Sequence, residues 1–252
     1  MRLATWNMKQ AVAPRKPLDD RWRWITSITA ADVLVLTEAK VPKFGLPAGW
    51  QVAHTPDGIG KRRRWGTVIA SNELEIRRSK FKRRQTVRIE DRPNSATTFT
   101  VDICRKSEIL FRLVGAYGLL EGTGNGFREL EFILNECEDV MREFGSERLV
   151  VAGDLNLWPE DTIPAFATLG LTDVMSKKRL LPELDEPLGG SRIWTHKNGA
   201  KDSNGARQEI DFIFTSNDLI ETVSDVDGGV DDYPDAWNWS DHAPVSVTFN
   251  GV

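Results

Sequence analysis

Short runs of apolar and β-branched residues, each closed by turn residues, recur from one end of the chain to the other. They fall at Leu3 to Trp6, Ala31 to Thr37, Trp65 to Ala70, Thr97 to Ile103, Ile109 to Tyr117, Leu149 to Ala152, Ile210 to Phe214 and Val245 to Phe249. Runs of this length and composition read as buried strands. Between them, Asp19 to Thr29 reads as a helix, and the spacing of Leu130, Leu134, Cys137, Met141 and Phe144 predicts a second, capped by Gly145. Strands that outnumber interspersed helices must bury their apolar faces against each other and against those helices. The expected architecture is two packed sheets with helices outside. Lys177 to Gly190, Asn198 to Arg207 and Gly228 to Trp239 are rich in glycine, aspartate and proline, and are expected to be surface loops that shape access to a site.

At 252 residues the chain can bury one sizeable core, and no repeat, low-complexity segment or long linker divides it, so a single domain over 1–252 is expected. No apolar run approaches the roughly 20 residues that a membrane-spanning helix needs. No secretory leader precedes Arg2, so a soluble, cytoplasmic protein with no membrane partner is expected. Only Cys104 and Cys137 occur, too few to staple a fold of this size, and Cys137 sits in an apolar helical stripe as a buried thiol would.

The formal net charge of -4 speaks against a polyanionic partner, but it averages over a steep asymmetry. Lys61 to Arg92 holds twelve basic and four acidic residues, an excess of eight positive charges, which leaves the remainder at -12. A patch of that density can track a phosphate backbone, since attraction depends on potential within about 10 Å at ordinary salt. The same residues would also suit a solvated hairpin edge guarded by lysine and arginine.

Several polar residues stand at the tips of these strands. Asp154 and Asn156 follow Leu149 to Gly153 at alternate positions, so both project from one face, though Gly-Asp-x-Asn also describes ordinary turns. Glu38 follows Val33 to Leu36 with Lys40 two residues on, which would set a hard-cation ligand beside an ammonium. Asn7 closes the first strand, where an amide can ligate a metal or satisfy a turn. Of the histidines, His54 and His196 lack an acidic neighbour in sequence, whereas His242 follows Asp241 and has a second possible partner in Asp211. A carboxylate on one ring nitrogen fixes the tautomer and favours the imidazolium, which can stabilise phosphoryl transition-state charge, but a buried salt bridge reads the same way. The ligand set Asn7, Glu38 and Asp241 offers oxygen alone, which points to magnesium or manganese. No nucleophile elbow, phosphate-binding glycine loop or dinucleotide fingerprint is present.

Read in order, Thr5-Trp6-Asn7, Leu36-Thr37-Glu38-Ala39-Lys40, Gly115-Ala116-Tyr117, Gly153-Asp154-Leu155-Asn156, Ile210-Asp211-Phe212 and Ser240-Asp241-His242 resemble the motif series of the endonuclease/exonuclease/phosphatase superfamily. The resemblance spans the chain. It implies an α/β fold, a four-layer α/β/β/α sandwich of two mixed sheets flanked by helices, and divalent-metal-dependent phosphoester hydrolysis. It further implies that Glu38, aided by Asn7 and Asp241, holds the metal. Asp154 would handle the attacking water, Asn156 and Tyr117 the phosphate oxygens, and His242 with Asp211 the transition-state charge.

Departures narrow the expectation. Lys9 stands where abasic-site endonucleases of this superfamily often carry aspartate, and Glu209 precedes Ile210-Asp211 where arginine is usual. The flanking signature of inositol polyphosphate 5-phosphatases is absent, and a sphingomyelinase would be larger and exported. A nuclease of low base specificity leads, acting on DNA in preference to RNA. A phosphomonoesterase for a small or lipid-linked phosphate is the alternative, and a catalytically silent binding module fits least because every motif position carries a competent residue. Lys40, Arg62, Arg63 and Arg64 are expected to grip the backbone near the scissile phosphate. Trp237 and Trp239 would stack on an unpaired base or form a packed lip.

Overall fold

The structure, a computed structural model, describes residues 1–9, 16–42, 46, 48–55, 65–81, 98–118, 126–179, 193–197 and 207–252, with the backbone alone at 126–129 and 179. The chain begins with β1 (Arg2–Asn7), α1 (Leu18–Thr29), β2 (Val33–Ala39), β3 (Trp50–His54), β4 (Gly66–Asn72), β5 (Glu75–Arg78) and β6 (Phe99–Arg105). Then come β7 (Glu108–Tyr117), α2 (Gly126–Phe144), β8 (Leu149–Asp154), α3 (Pro159–Ala167), β9 (Leu171–Asp173), α4 (Ser176–Arg179), β10 (His196–Lys197) and β11 (Arg207–Gln208). It closes with β12 (Asp211–Ser216), α5 (Asn217–Ile220), β13 (Val223–Gly228), α6 (Gly229–Asp232), a 3-10 turn at Ala236–Asn238 and β14 (Val245–Phe249).

Two six-stranded sheets result, ordered β13-β14-β1-β2-β4-β3 and β5-β6-β7-β8-β12-β9, with β10 and β11 forming a separate ribbon. Both are mixed. Each contains one parallel pair, β1 with β2 and β7 with β8, joined through a helix, while the other neighbours run antiparallel. A parallel pair needs a crossover, and α1 and α2 supply it. Parallel strands also finish at the same end, so Asn7, Glu38, Tyr117 and Asp154 all belong to strand termini of the two crossover units.

Strand periodicity then separates the layers. Leu3, Val33, Val35, Leu113, Val150, Ala152, Ile213, Val245 and Val247 pack together between the sheets. The alternate residues turn outward: Ala4, Trp6, Leu34 and Leu36 meet Trp22 and Ile25 of α1. On the far side Val114, Ala116, Val151, Phe212 and Phe214 meet Leu130, Ile133, Cys137 and Val140 of α2 and Phe166 of α3. Helix, sheet, sheet and helix are therefore bonded by three apolar interfaces, the four-layer sandwich that the strand-end fragments imply. Asp19 and Asp20 in the first turn of α1 complement its dipole, and Gly145, at φ 88°, ends α2 with its N–H on Met141 O at 2.8 Å. Both cysteines are free and buried, as the composition suggests.

The long buried strands were readable from sequence, while β3, β5 and β13, whose residues are mostly half-buried or exposed, carry too weak an apolar run. The segment expected to be loop from Gly228 to Trp239 is instead largely α6 and the 3-10 turn, anchored by buried Tyr233 and Ala236. Most of the other two expected loops, along with Arg62, Arg63 and Arg64, lies outside the described residues.

Candidate active site

Glu38 depends on a backbone irregularity. Strict alternation along β2 would send it outward with Leu34 and Leu36, toward α1. Instead the register of β2 against β4 shifts between Leu36 and Ala39, and Glu38 adopts φ 43°. A bulge re-aims the side chain that it carries. The Glu38 carboxylate consequently accepts the Tyr117 hydroxyl at 2.7 Å and lies 3.4 Å from Asn7 Nδ2. Lys40, expected on the same face, lines a small cavity of about 200 Å³ with His54, Thr55 and Gly66, and its carbonyl accepts Trp22 Nε1.

Across the cleft, Asp154 ends β8 directly opposite Asp211 in the antiparallel register with β12. Both carboxylates share the inward face with Ile213 and Ala152. Asn7 Nδ2 donates to Asp154 Oδ2 at 2.8 Å, and the Asn156 N–H donates to Asp154 Oδ1 at 2.9 Å. Asn156, at φ 54°, also donates from Nδ2 to Gly118 O at 2.6 Å, tying the turn after β8 to the end of β7. Close approach is required here: a Cβ at Gly153, at φ 151°, would stand 1.8 Å from Ala116 O.

His242 precedes β14 in the loop from the first sheet and bridges to the second. Its Nδ1 meets Asp211 Oδ2 at 2.8 Å, and its Nε2 lies 3.9 Å from Asp154 Oδ2. The loop is fixed by Ser240 Oγ, which donates to Asn7 O at 2.8 Å, and by Trp6 Nε1, which donates to His242 O at 2.9 Å. Burial opposes charge on His242, yet Asp211, Asp154 and Asp241 prevail and push its pKa up to about 10. These partners favour the protonated ring, which would donate Nδ1–H to Asp211 and present Nε2–H to the cleft. Burial likewise pushes the Asp154 carboxyl up to about 8, with Asp211 and Glu38 adding and His242 and Asn7 opposing.

Asp241 stands on the open side. It is ion-paired with Lys9, and its Oδ2 lies 3.8 Å from His196 Nε2. Burial works against its charge, but His196, His242 and Lys9 hold its pKa below the ordinary carboxylate range. Lys9 is positioned by its own N–H, which donates to Asn7 Oδ1 at 2.7 Å, and by a left-handed φ of 51°. His196, which has no acidic neighbour in sequence, is brought to the cleft by β10, its ring 4.4 Å from that of His242. Its acidic neighbour, Asp241, is distant in sequence, so no local pattern marked it. Glu209, in place of arginine, is buried and takes the Ile193 N–H at 3.2 Å.

Whether these residues suit a divalent cation can be judged from their donors. Glu38, Asp154, Asp211 and Asp241 supply carboxylates and Asn7 an amide oxygen, against the cations Lys9 and His242. Among the described residues Asp211 Oδ1 is buried without a hydrogen-bond partner. Concentrated, under-neutralised oxygen of this kind fits a hard divalent cation. Among the described residues no helix is long and apolar enough to cross a membrane.

No protein-family model and no curated protein matches the sequence. Solved structures do match, along nearly the whole length. The endonuclease domain of TRAS1, a telomere-specific non-LTR retrotransposon, superposes at TM-score 0.65 with 16% identity, covering 99% of this chain and 98% of that one. The 3'-5' exonuclease NExo from Neisseria meningitidis gives 0.65 and 19%, covering 99% of both chains. An AP endonuclease from Archaeoglobus fulgidus gives 0.64 and 18%, again covering 99% of both. TDP2 of D. rerio, complexed with a single-strand DNA product, gives 0.63 and 15%, covering 99% of this chain and 98% of that one. With two mixed sheets between helices and this set of structural neighbours, the chain has the endonuclease/exonuclease/phosphatase fold.

Proposed function

We propose that this protein is a divalent-cation-dependent phosphodiesterase, a nuclease that hydrolyses DNA with little base specificity. One observation carries the reading: hydrogen bonds from Tyr117 to Glu38, from Asn7 to Asp154 and between His242 and Asp211, with His242 Nε2 3.9 Å from Asp154, gather these groups from both sheets in one cleft. Such a grouping combines a cation seat, a proton acceptor and a fixed imidazolium. Neighbours named as endonuclease, exonuclease and AP endonuclease support it.

In this reading Glu38, Asn7 and Asp241 would hold magnesium or manganese, which would supply positive charge to offset that on the phosphoryl oxygen. Asp154 accepts the proton of the attacking water, a task suited to a carboxyl whose pKa is near the working pH. His242 donates Nε2–H to a phosphate oxygen while Asp211 fixes its tautomer and charge. Tyr117 shares its hydroxyl proton between Glu38 and an arriving phosphate, and Asn156 holds Asp154 in aim. Lys40, with Arg62, Arg63 and Arg64 of the basic segment, would contact the substrate backbone. Lys9, paired with Asp241 where abasic-site enzymes carry an acid, argues against specialised abasic-site repair.

A second reading has a specific support. One NExo structure, a match at TM-score 0.66 and 20% identity, is described as a 3' phosphatase bound to product DNA hairpin. The same site would serve a terminal phosphomonoester. Supercoiled plasmid, a 3'-phosphorylated strand and an RNA strand, each with magnesium, manganese or EDTA, separate these readings. Metal-dependent nicking that is lost in both Asp154→Asn and His242→Ala is expected, and a plasmid intact in every metal refutes the DNA reading.

A further inference from the structure

Beside the catalytic loop lies an aromatic lip that the hydrolytic chemistry does not use. Lys197 of β10 and Arg207 of β11 are cross-strand partners, and each holds its cationic head 5.3 Å from the centre of the Trp237 ring. Lys16 stands 5.3 Å over Trp239. Among the described residues none of these three cations makes an ion pair. Trp237 is half-buried, and among the same residues its Nε1–H is shielded from solvent without an acceptor. Leaving such a donor unpaired is costly.

The lip borders an open cleft of about 540 Å³, lined by Lys16, Trp24, Trp237 and Trp239 with Asp235 and Asn238 as its polar edge. That volume suits a nucleoside-sized guest. The floor is rigid, because Trp239 stacks on Trp24 at 5.7 Å and 22°, and Trp24 lies 5.0 Å from Trp6. Trp6 in turn bonds His242 O, and Lys197 N–H bonds Asp241 O at 2.8 Å. The lip is thus one side chain removed from the catalytic residues and mechanically continuous with them.

Cations fixed on indoles beside a polar-edged cleft are what a single strand needs: positive heads for phosphates and aromatic surface for unstacked bases. A duplex keeps its bases inside the stack and would gain only from the charges. We infer that this lip binds an unpaired polynucleotide segment next to the scissile phosphate, with Lys197 and Arg207 on its phosphates and a base in the Trp237–Trp239 cleft. The inference rests on the phosphodiesterase reading and specifies its substrate as locally single-stranded; DNA and RNA share the chemistry.

The test is binding, not turnover. Fluorescence anisotropy in magnesium, on an Asp154→Asn background, would follow labelled oligothymidylate, oligouridylate and a blunt duplex of equal length. Replacing both Lys197 and Arg207 by Gln should lower the salt slope for single strands by about 1.4, near 0.7 for each phosphate no longer neutralised. Trp237→Ala should raise Kd roughly 10-fold, with Trp237→Phe recovering most of it and guarding against misfolding in the alanine variant. Arg105→Gln, on β6, controls for general charge removal and should change neither quantity. Wild-type slopes in the double variant, equal effects with Arg105→Gln, or equal weakening for the duplex would overturn the inference. Distinctly, absence of any phosphoester hydrolysis by the wild type would remove the phosphodiesterase reading while the anisotropy result stood.

Discussion

The two flanks of the cleft solve opposite electrostatic problems. On the inner flank, His242, Asp154 and Asp211 expose only 7%, 1% and 0% of their side chains, so their charges are set by one another. On the outer flank, Lys9, Asp241 and His196 expose 33%, 19% and 14%, and water shares the solvation. A buried charge stripped of its partner is far more costly than a screened one. The inner flank therefore tolerates little change, whereas the outer flank can carry substitutions particular to this chain, with Lys9 and His196 among them.

If the contrast holds, inner-flank variants lose most. Asp154→Asn and His242→Ala should each lower kcat on a phosphodiester by about 10²–10⁴ at unchanged fold, checked by steady-state kinetics and circular dichroism. A loss under 10-fold in either would dissolve the distinction. Glu38→Gln should weaken manganese binding by at least about 10-fold, read by electron paramagnetic resonance or calorimetry, because it removes the bulge-directed carboxylate. Lys9→Ala should do the reverse, tightening manganese several-fold by releasing Asp241 from its ammonium. His196→Gln should cost less than about 10-fold in kcat.

The inner flank also predicts how stability follows pH. Asp154 is raised from 3.8 to about 8, so the folded state binds more protons than the unfolded state between those values, and stability falls as pH rises through that window. His242 is raised from 6.5 to about 10, so its contribution is complete below pH 6.5 and is lost as pH rises through 10. Both slopes have the same sign. The contribution of these two groups to stability should fall from pH 4 toward pH 10, and Asp154→Asn should melt above wild type at pH 9 by a few degrees, where about 1 kcal/mol is worth 2–4 °C. An Asp154→Asn protein that melts below wild type at pH 9 would show that this carboxylate is not a strained charge. Hydrolysis should rise through pH 8 as Asp154 frees its acceptor and decline above 10 as His242 loses its proton, the smallest of these effects near neutrality.

Much of the site was legible because parallel strands end together. Asn7, Tyr117, Asp154 and Asp211 follow from runs whose period and end point are local properties. Glu38 is legible as the polar residue after a buried run, but the register shift that turns it toward Tyr117 is not. His196 was passed over since its partners, Asp241 and His242, come from a distant loop. Edge strands β3 and β5 were missed for a related reason: a half-exposed edge needs no continuous apolar run.

Sequence by itself determined two packed sheets, the outer helices and the polar strand tips, because burial imposes periodicities of two and of about 3.6 on neighbouring residues. Tertiary structure alone decided that Glu38 turns inward, that Lys9 rather than solvent meets Asp241, that His196 reaches His242, and that two cations rest on Trp237. Those arrangements join groups far apart along the chain, and their energies depend on distances and burial that no local pattern encodes.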